Sequence, residues 1–257
     1  MPLGASITYG FRSTDGNGYR EHLRNTLRSE GWKVNMVGSL KAGTMYDNDN
    51  EGHIGFRVTE VEKAANKTIP RKPNLILINA GTNDAVQNFS LSTTGDRMNN
   101  LLSHLFNTIP GTTIILSTLL PNKLAPKRVA EINEQYRQIT AERRKAGDRI
   151  VLAEMDDGFL TMDDLKDGTH PTDEGYGKMA EVWWAAIRAA EAEGILQEPA
   201  DTGISDDTAR DGVSRFDMHS LAGKSHDIRQ LFISKVMIFV YVLIGLGFQA
   251  DVTGLLS

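Results

Sequence analysis

The stretch LILINAGTND, Leu75 to Asp84, decides the fold. Leu75 to Asn79 is short, rich in branched side chains and almost wholly apolar, which suits a strand of a parallel sheet covered on both faces. The Gly81-Thr82-Asn83-Asp84 loop then falls at the carboxyl end of that strand, where open α/β sheets place their ligand sites. An Asn at that edge can donate to a developing oxyanion without titrating. Asp84 reads instead as a structural hydrogen-bonding group or helix cap.

Working outward, Lys33 to Val37, Thr113 to Thr118 and Arg149 to Ala153 read as further strands of the same kind. Helical patterns lie between them, over Tyr19–Glu30, Val58–Asn66, Asp96–Asn107, Ala125–Ala146 and Asp173–Glu193. This alternation implies a doubly wound α/β domain with right-handed crossovers. Only Met1 to Leu3 precede the Gly4-Ala5-Ser6 turn, whereas a strand usually has about five residues. The first strand therefore reads as truncated, and the natural start is expected upstream.

The chain has 257 residues, of which 40% are hydrophobic, enough for a sizeable core. Its formal charge of −5, with both signs interspersed, argues against nucleic acid as a partner. The lack of cysteine excludes disulfides, thiolate metal sites and a Cys nucleophile. No signal peptide is visible at Met1. After Pro199 the composition changes: residues 200 to 228 are polar and aperiodic, and Leu231 to Phe248 is an apolar run interrupted by Ser234 and Lys235. That run is near the lower limit of about 17–20 residues for spanning a bilayer. A membrane anchor is one reading; a docked or interfacial helix, or a stretch never selected as protein, is favoured over it. The expected organisation is a catalytic domain over 1–197 and a tail over 198–257.

Four blocks carry chemistry. Ser6 stands where the first strand would end, able to offer its Oγ as a nucleophile and its N–H to an oxyanion; a capping Ser is the plainer alternative. Glu51-Gly52-His53-Ile54-Gly55 precedes a helix, and its glycines allow close backbone approach or merely a turn. Asn83 supplies a neutral donor. Asp167-Gly168-Thr169-His170 puts a carboxylate and an imidazole three apart in a tight loop, so that the first can hold the second while its free nitrogen deprotonates a serine. Taken alone, Ser6 and the Asp167–His170 loop read more readily as caps, and the 51–55 block equally well as a turn; together the blocks form an acyl-transfer set at one edge of the sheet.

With Ser6, Gly55, Asn83 and His170 in this order, the sequence resembles the SGNH (GDSL) hydrolase superfamily over about residues 1 to 195. It is most similar to family three of the carbohydrate esterases, mainly acetylxylan esterases, through MPLGASITYG, Val37-Gly38-Ser39, Glu51-Gly52-His53-Ile54-Gly55 and DGTHPTDEGY at 167–176. It departs from the family at Ala5, where an Asp is usual. The resemblance implies a three-layer α/β/α, flavodoxin-like fold with a mostly parallel sheet. It implies Ser6 as nucleophile, His170 as general base and Asp167 as its orienting partner. The oxyanion donors would be the N–H groups of Ser6 and Gly55 with the Asn83 amide, and no metal or organic cofactor is expected. Acetyl esters of a polysaccharide such as xylan, hydrolysed outside the cell by a monomer, are the implied setting. A general esterase, lysophospholipase or thioesterase on the same scaffold is the runner-up, and a non-catalytic carbohydrate-binding homologue a third reading. His53 is expected to shape its turn rather than line the site. Of Trp183 and Trp184, one is expected in the core.

Overall fold

In the computed structural model, which describes residues 1–203, Leu75–Asn79 is a buried strand, as its apolar run predicts. It is β4 of a six-stranded sheet with β1 (Pro2–Gly4), β2 (Leu40–Lys41), β3 (Asp49–Gly52), β5 (Thr113–Ser117) and β6 (Ile150–Ala153). The order is β2-β3-β1-β4-β5-β6, and all but β2 run parallel. Counting only parallel strands, this is the flavodoxin-type order, and the winding direction reverses between β1 and β4. In folds of this order, ligand sites lie at the carboxyl ends of those two strands.

The helices are α1 (Ser6–Tyr9), α2 (Tyr19–Ser29), α3 (Val58–Ala65), α4 (Thr82–Val86), α5 (Thr94–Thr108), α6 (Pro126–Lys145) and α7 (Asp173–Ala192). Strand alternation distributes the core between two faces. Ile76 and Ile78 of β4, with Ile114 and Leu116 of β5, pack with α3, α5 and α6, whereas Leu77, Ile115 and Val151 pack with α2 and α7. Each such buried Leu, Ile or Val contributes about 1.5–3 kcal/mol, so the three layers are held by the period-two pattern itself. Trp183 is fully buried between α2 and α7, and Trp184 is half-buried, edge-on to Trp32.

Two expectations need correction. Lys33 to Val37 is not a strand. Backbone donors in and after this run are drawn off by buried carboxylates: Met36 N–H donates to Asp47 at 2.9 Å and Ser39 N–H to Glu51 at 2.8 Å. Gly38 is needed for close approach: a Cβ there would lie 2.1 Å from the Asn50 backbone. The strand beside β1 is β3, whose DNEG sequence is wholly polar and yet buried throughout. The block at 51–55 thus begins as sheet and only then turns. The first strand spans three residues, as its sequence implied, but is buried and paired on both sides.

Beyond α7 the chain returns to the amino ends of the strands, where Ile195 O accepts from Thr113 Oγ1 and Gln197 O from Asn74 Nδ2. No helix of the described residues is long and apolar enough to cross a membrane. The expectations for the polar stretch past 203 and for the apolar run 231–248 lie outside the described residues.

Candidate active site

Ser6 follows directly on the carboxyl end of β1, where the neighbouring backbones come unusually close. A Cβ on Gly4 would lie 2.1 Å from Asn79 O, and one on Gly52 would lie 2.4 Å from Tyr9 N. With only hydrogen at both positions, β1 meets β4 closely and α1 lies across the end of β3. Ser6 opens α1, so its N–H belongs to the first turn, which has no intrahelical acceptor. Ser6 is 9% exposed, and its Oγ is 2.9 Å from His170 Nε2.

His170 comes from the loop before α7, and Asp167 organises that loop. Its Oδ1 accepts the N–H groups of Thr169 (3.1 Å) and His170 (2.9 Å), and its Oδ2 faces His170 Nδ1 at 2.9 Å. Burial pushes the Asp167 carboxyl up, but these donors and the adjacent imidazole outweigh it and hold it at about 2. An ionised carboxylate only accepts, so Nδ1 carries the proton and Nε2 of the neutral ring faces the Ser6 hydroxyl as acceptor. The loop is closed by Lys166 N–H to His170 O (2.8 Å) and by the Thr172 side chain, which accepts Gly175 N–H at the start of α7.

Groups from elsewhere in the chain support this loop. Asn122, buried, donates to Thr169 Oγ1 at 2.9 Å while its Oδ1 accepts from Leu124 and Ala125, and Lys123 N–H donates to Gly168 O. The Phe11 ring meets His170 edge-on, centroids 4.9 Å apart. Arg12 lies 3.4 Å from Asp167, and Tyr176 Oη donates to Phe11 O. Sequence reasoning missed Phe11, Arg12 and Asn122. Each meets its partner 47 or more residues away, and no local pattern marks it.

On the other side of Ser6, Gly81 (φ +120°) turns the chain from β4 into α4, which carries Asn83 and Asp84. The Asn83 amide donates to Phe56 O at 2.8 Å, which commits one of its two protons and fixes the direction of the other. Asp84 is buried; it accepts Val58 N–H at 3.1 Å and Arg97 Nη2 at 2.9 Å. Burial raises its pKa against the pull of Arg97 and the Val58 N–H. It thus acts as the structural group its position suggested, capping α3. Gly55 is exposed with φ +84°, and a Cβ there would meet nothing, so conformation rather than space favours glycine. Its loop is tied to the serine strand by His53 N–H donating to Gly4 O at 3.0 Å. Among the described residues no group of three His, Asp or Glu could hold a metal ion.

This arrangement pairs a serine with a polarised imidazole and puts a neutral amide on the loop after the neighbouring strand, equipment that acyl transfer can use. Residues 1–183 match the family model described as GDSL-like lipase/acylhydrolase. The chain is 26% identical over 219 residues to a multidomain esterase of Ruminococcus flavefaciens; the match takes in 73% of this chain but only 28% of that protein. A family 3 carbohydrate esterase of Clostridium thermocellum is structurally similar with a TM-score of 0.66 and 25% identity, over 75% of this chain and 96% of that one. A carbohydrate esterase family 3 structure from Talaromyces cellulolyticus aligns with a TM-score of 0.64 at 22% identity, over 74% and 96%.

Proposed function

Because this chain belongs to the GDSL-like lipase/acylhydrolase family, a family of carboxylic ester hydrolases, we propose that it is a serine esterase releasing acetyl groups from a carbohydrate such as acetylated xylan. The observation that carries the chemistry is the continuous contact Ser6 Oγ to His170 Nε2 and His170 Nδ1 to Asp167. In this reading Ser6 Oγ attacks the ester carbonyl carbon and its proton passes to His170 Nε2. Asp167 stabilises the imidazolium, and the N–H groups of Ser6 and Gly55 with the Asn83 amide receive the negative oxygen. Collapse breaks the bond to the alcohol, which takes the proton from His170 and departs. Water then attacks the acyl-serine with His170 again as base, and the acid leaves.

The acetyl-carbohydrate assignment is supported by likeness to the Clostridium thermocellum family 3 carbohydrate esterase across nearly its whole length. A polymeric substrate would be met outside the cell, and nothing in the described chemistry needs a second copy, so a secreted monomer completes the proposal. Acetate release from acetylated xylan, beside a p-nitrophenyl ester series of rising chain length, tests it. The expected result is Ser6-dependent release from xylan and a sharp preference for the acetyl ester. Ser6→Ala should abolish both activities in folded protein; unchanged turnover would refute the nucleophile. Hydrolysis of long-chain esters without xylan deacetylation would refute the substrate.

A further inference from the structure

Glu51 is buried beneath the site with no access to solvent, and its carboxylate is completely used. Oε1 accepts Ser39 Oγ at 2.8 Å and faces His53 Nε2 at 2.6 Å; Oε2 accepts Ser39 N–H at 2.8 Å and the Thr68 hydroxyl. Burial alone would push this carboxyl up, but the donors outweigh it and bring it below the ordinary range. A carboxylate so placed only accepts, so His53 donates from Nε2 and its ring is held from below.

The ring in turn holds the loop above. His53 stacks on Phe56 with centroids 4.7 Å apart and planes 12° from parallel. Its carbonyl accepts Phe56 N–H at 3.2 Å, closing a turn around Gly55. Phe56 O is the acceptor that fixes the Asn83 amide. One path of contacts therefore runs from a buried anion through an imidazole and a phenyl ring to both expected oxyanion donors outside Ser6.

We propose that His53, anchored by Glu51, is a positioning residue for the oxyanion side, setting the Gly55–Phe56 turn and through it the Asn83 amide. His53 touches no reacting atom in this scheme, and no proton passes through it. The inference rests on the esterase reading above only for its kinetic consequence. A misplacement near 1 Å at such a donor can cost about 10²-fold in rate.

His53→Phe separates the parts, because it keeps a stacking ring and removes the N–H to Glu51. The expected result is a kcat on p-nitrophenyl acetate at least about tenfold lower with KM unchanged, and an equal loss of affinity for methylboronic acid, whose tetrahedral serine adduct mimics the oxyanion. His53→Gln, which returns an N–H donor, should recover part of both. Parental kcat and boronate affinity in folded His53→Phe would overturn the proposal, as would a loss confined to KM. Hydrogen exchange at the Gly55 and Phe56 amides needs no turnover. Faster exchange in His53→Phe supports the positioning role, and unchanged exchange there overturns it. If hydrolysis by the parent survives Ser6→Ala, it is the esterase reading that fails, and exchange alone then decides the role of His53.

Discussion

The two flanks of Ser6 are built by opposite means. The flank proposed for acid–base chemistry has a local core, with Asp167, Thr169 and His170 satisfying one another within a few residues; Asn122 and Arg12 add support from afar, and the Asp167 side chain is 34% exposed. The oxyanion flank is assembled from distant parts. Asp84 bridges to Val58 and Arg97, Asn83 to Phe56, and Glu51 to Ser39 and Thr68, with both carboxylates fully buried. The difference fits the proposed roles. A base changes charge during turnover and needs surroundings that tolerate both states, whereas oxyanion donors keep their charge and gain by being fixed in advance.

If that contrast is right, variants on the two flanks fail differently. The largest effect is expected from Asp167→Asn, which leaves the loop geometry but loses the charge that holds the imidazole: kcat should fall by about 10⁴ with modest change in stability. Its acid dependence sharpens the point. Asp167 lies near 2 in the folded protein against an ordinary 3.8, so its contribution to stability is complete above 3.8 and lost as pH falls toward about 2. The difference in urea midpoint between parent and Asp167→Asn should therefore close over that interval. Next, Asp84→Ala leaves Arg97 without its carboxylate and Val58 N–H without an acceptor; a stability loss of about 3–5 kcal/mol is expected in urea denaturation. Asn83→Ala should lower kcat by about 10²–10³ and leave KM for p-nitrophenyl acetate nearly unchanged. Smallest is Arg12→Ala. That cation is half-exposed beside a partly exposed Asp167, and its loss should cost at most about 1 kcal/mol in thermal unfolding. A loss as large as that of Asp84→Ala would show that Arg12, rather than the local loop, holds the acid–base flank together.

The same contrast explains what could be read from the chain beforehand. Strands β4, β5 and β6 announce themselves because their side chains meet apolar neighbours on both faces, which writes an apolar run into the sequence. Strand β3 does the reverse: Asp49, Asn50 and Glu51 are buried by polar contacts to side chains and backbone, among them Lys41, Leu40 and Ser39, which write no apolar run into the sequence. The apolar KVNMV run misleads for a related reason, since Asp47 takes a backbone donor that a sheet would have used. At the site, Asp167 and His170 are conspicuous because their relation is three residues long. Asn122 reaches Thr169 across 47 residues and has no local trace. His53 is intermediate: its block is visible, but its support by Glu51 shows only once β3 brings the two side chains onto one network.

The partner distances also bear on the order in which the molecule can be completed. The loop around Asp167 can close on itself early, as its bonds span only a few residues. Ser6 meets His170 across 164 residues, through a three-residue strand that pairs with β3 and β4. Contacts of such range carry a larger loop-closure cost than the bonds of the Asp167 loop. If Ser6 is the nucleophile, recovery of ester hydrolysis during refolding should report the seating of β1 rather than the return of the helices.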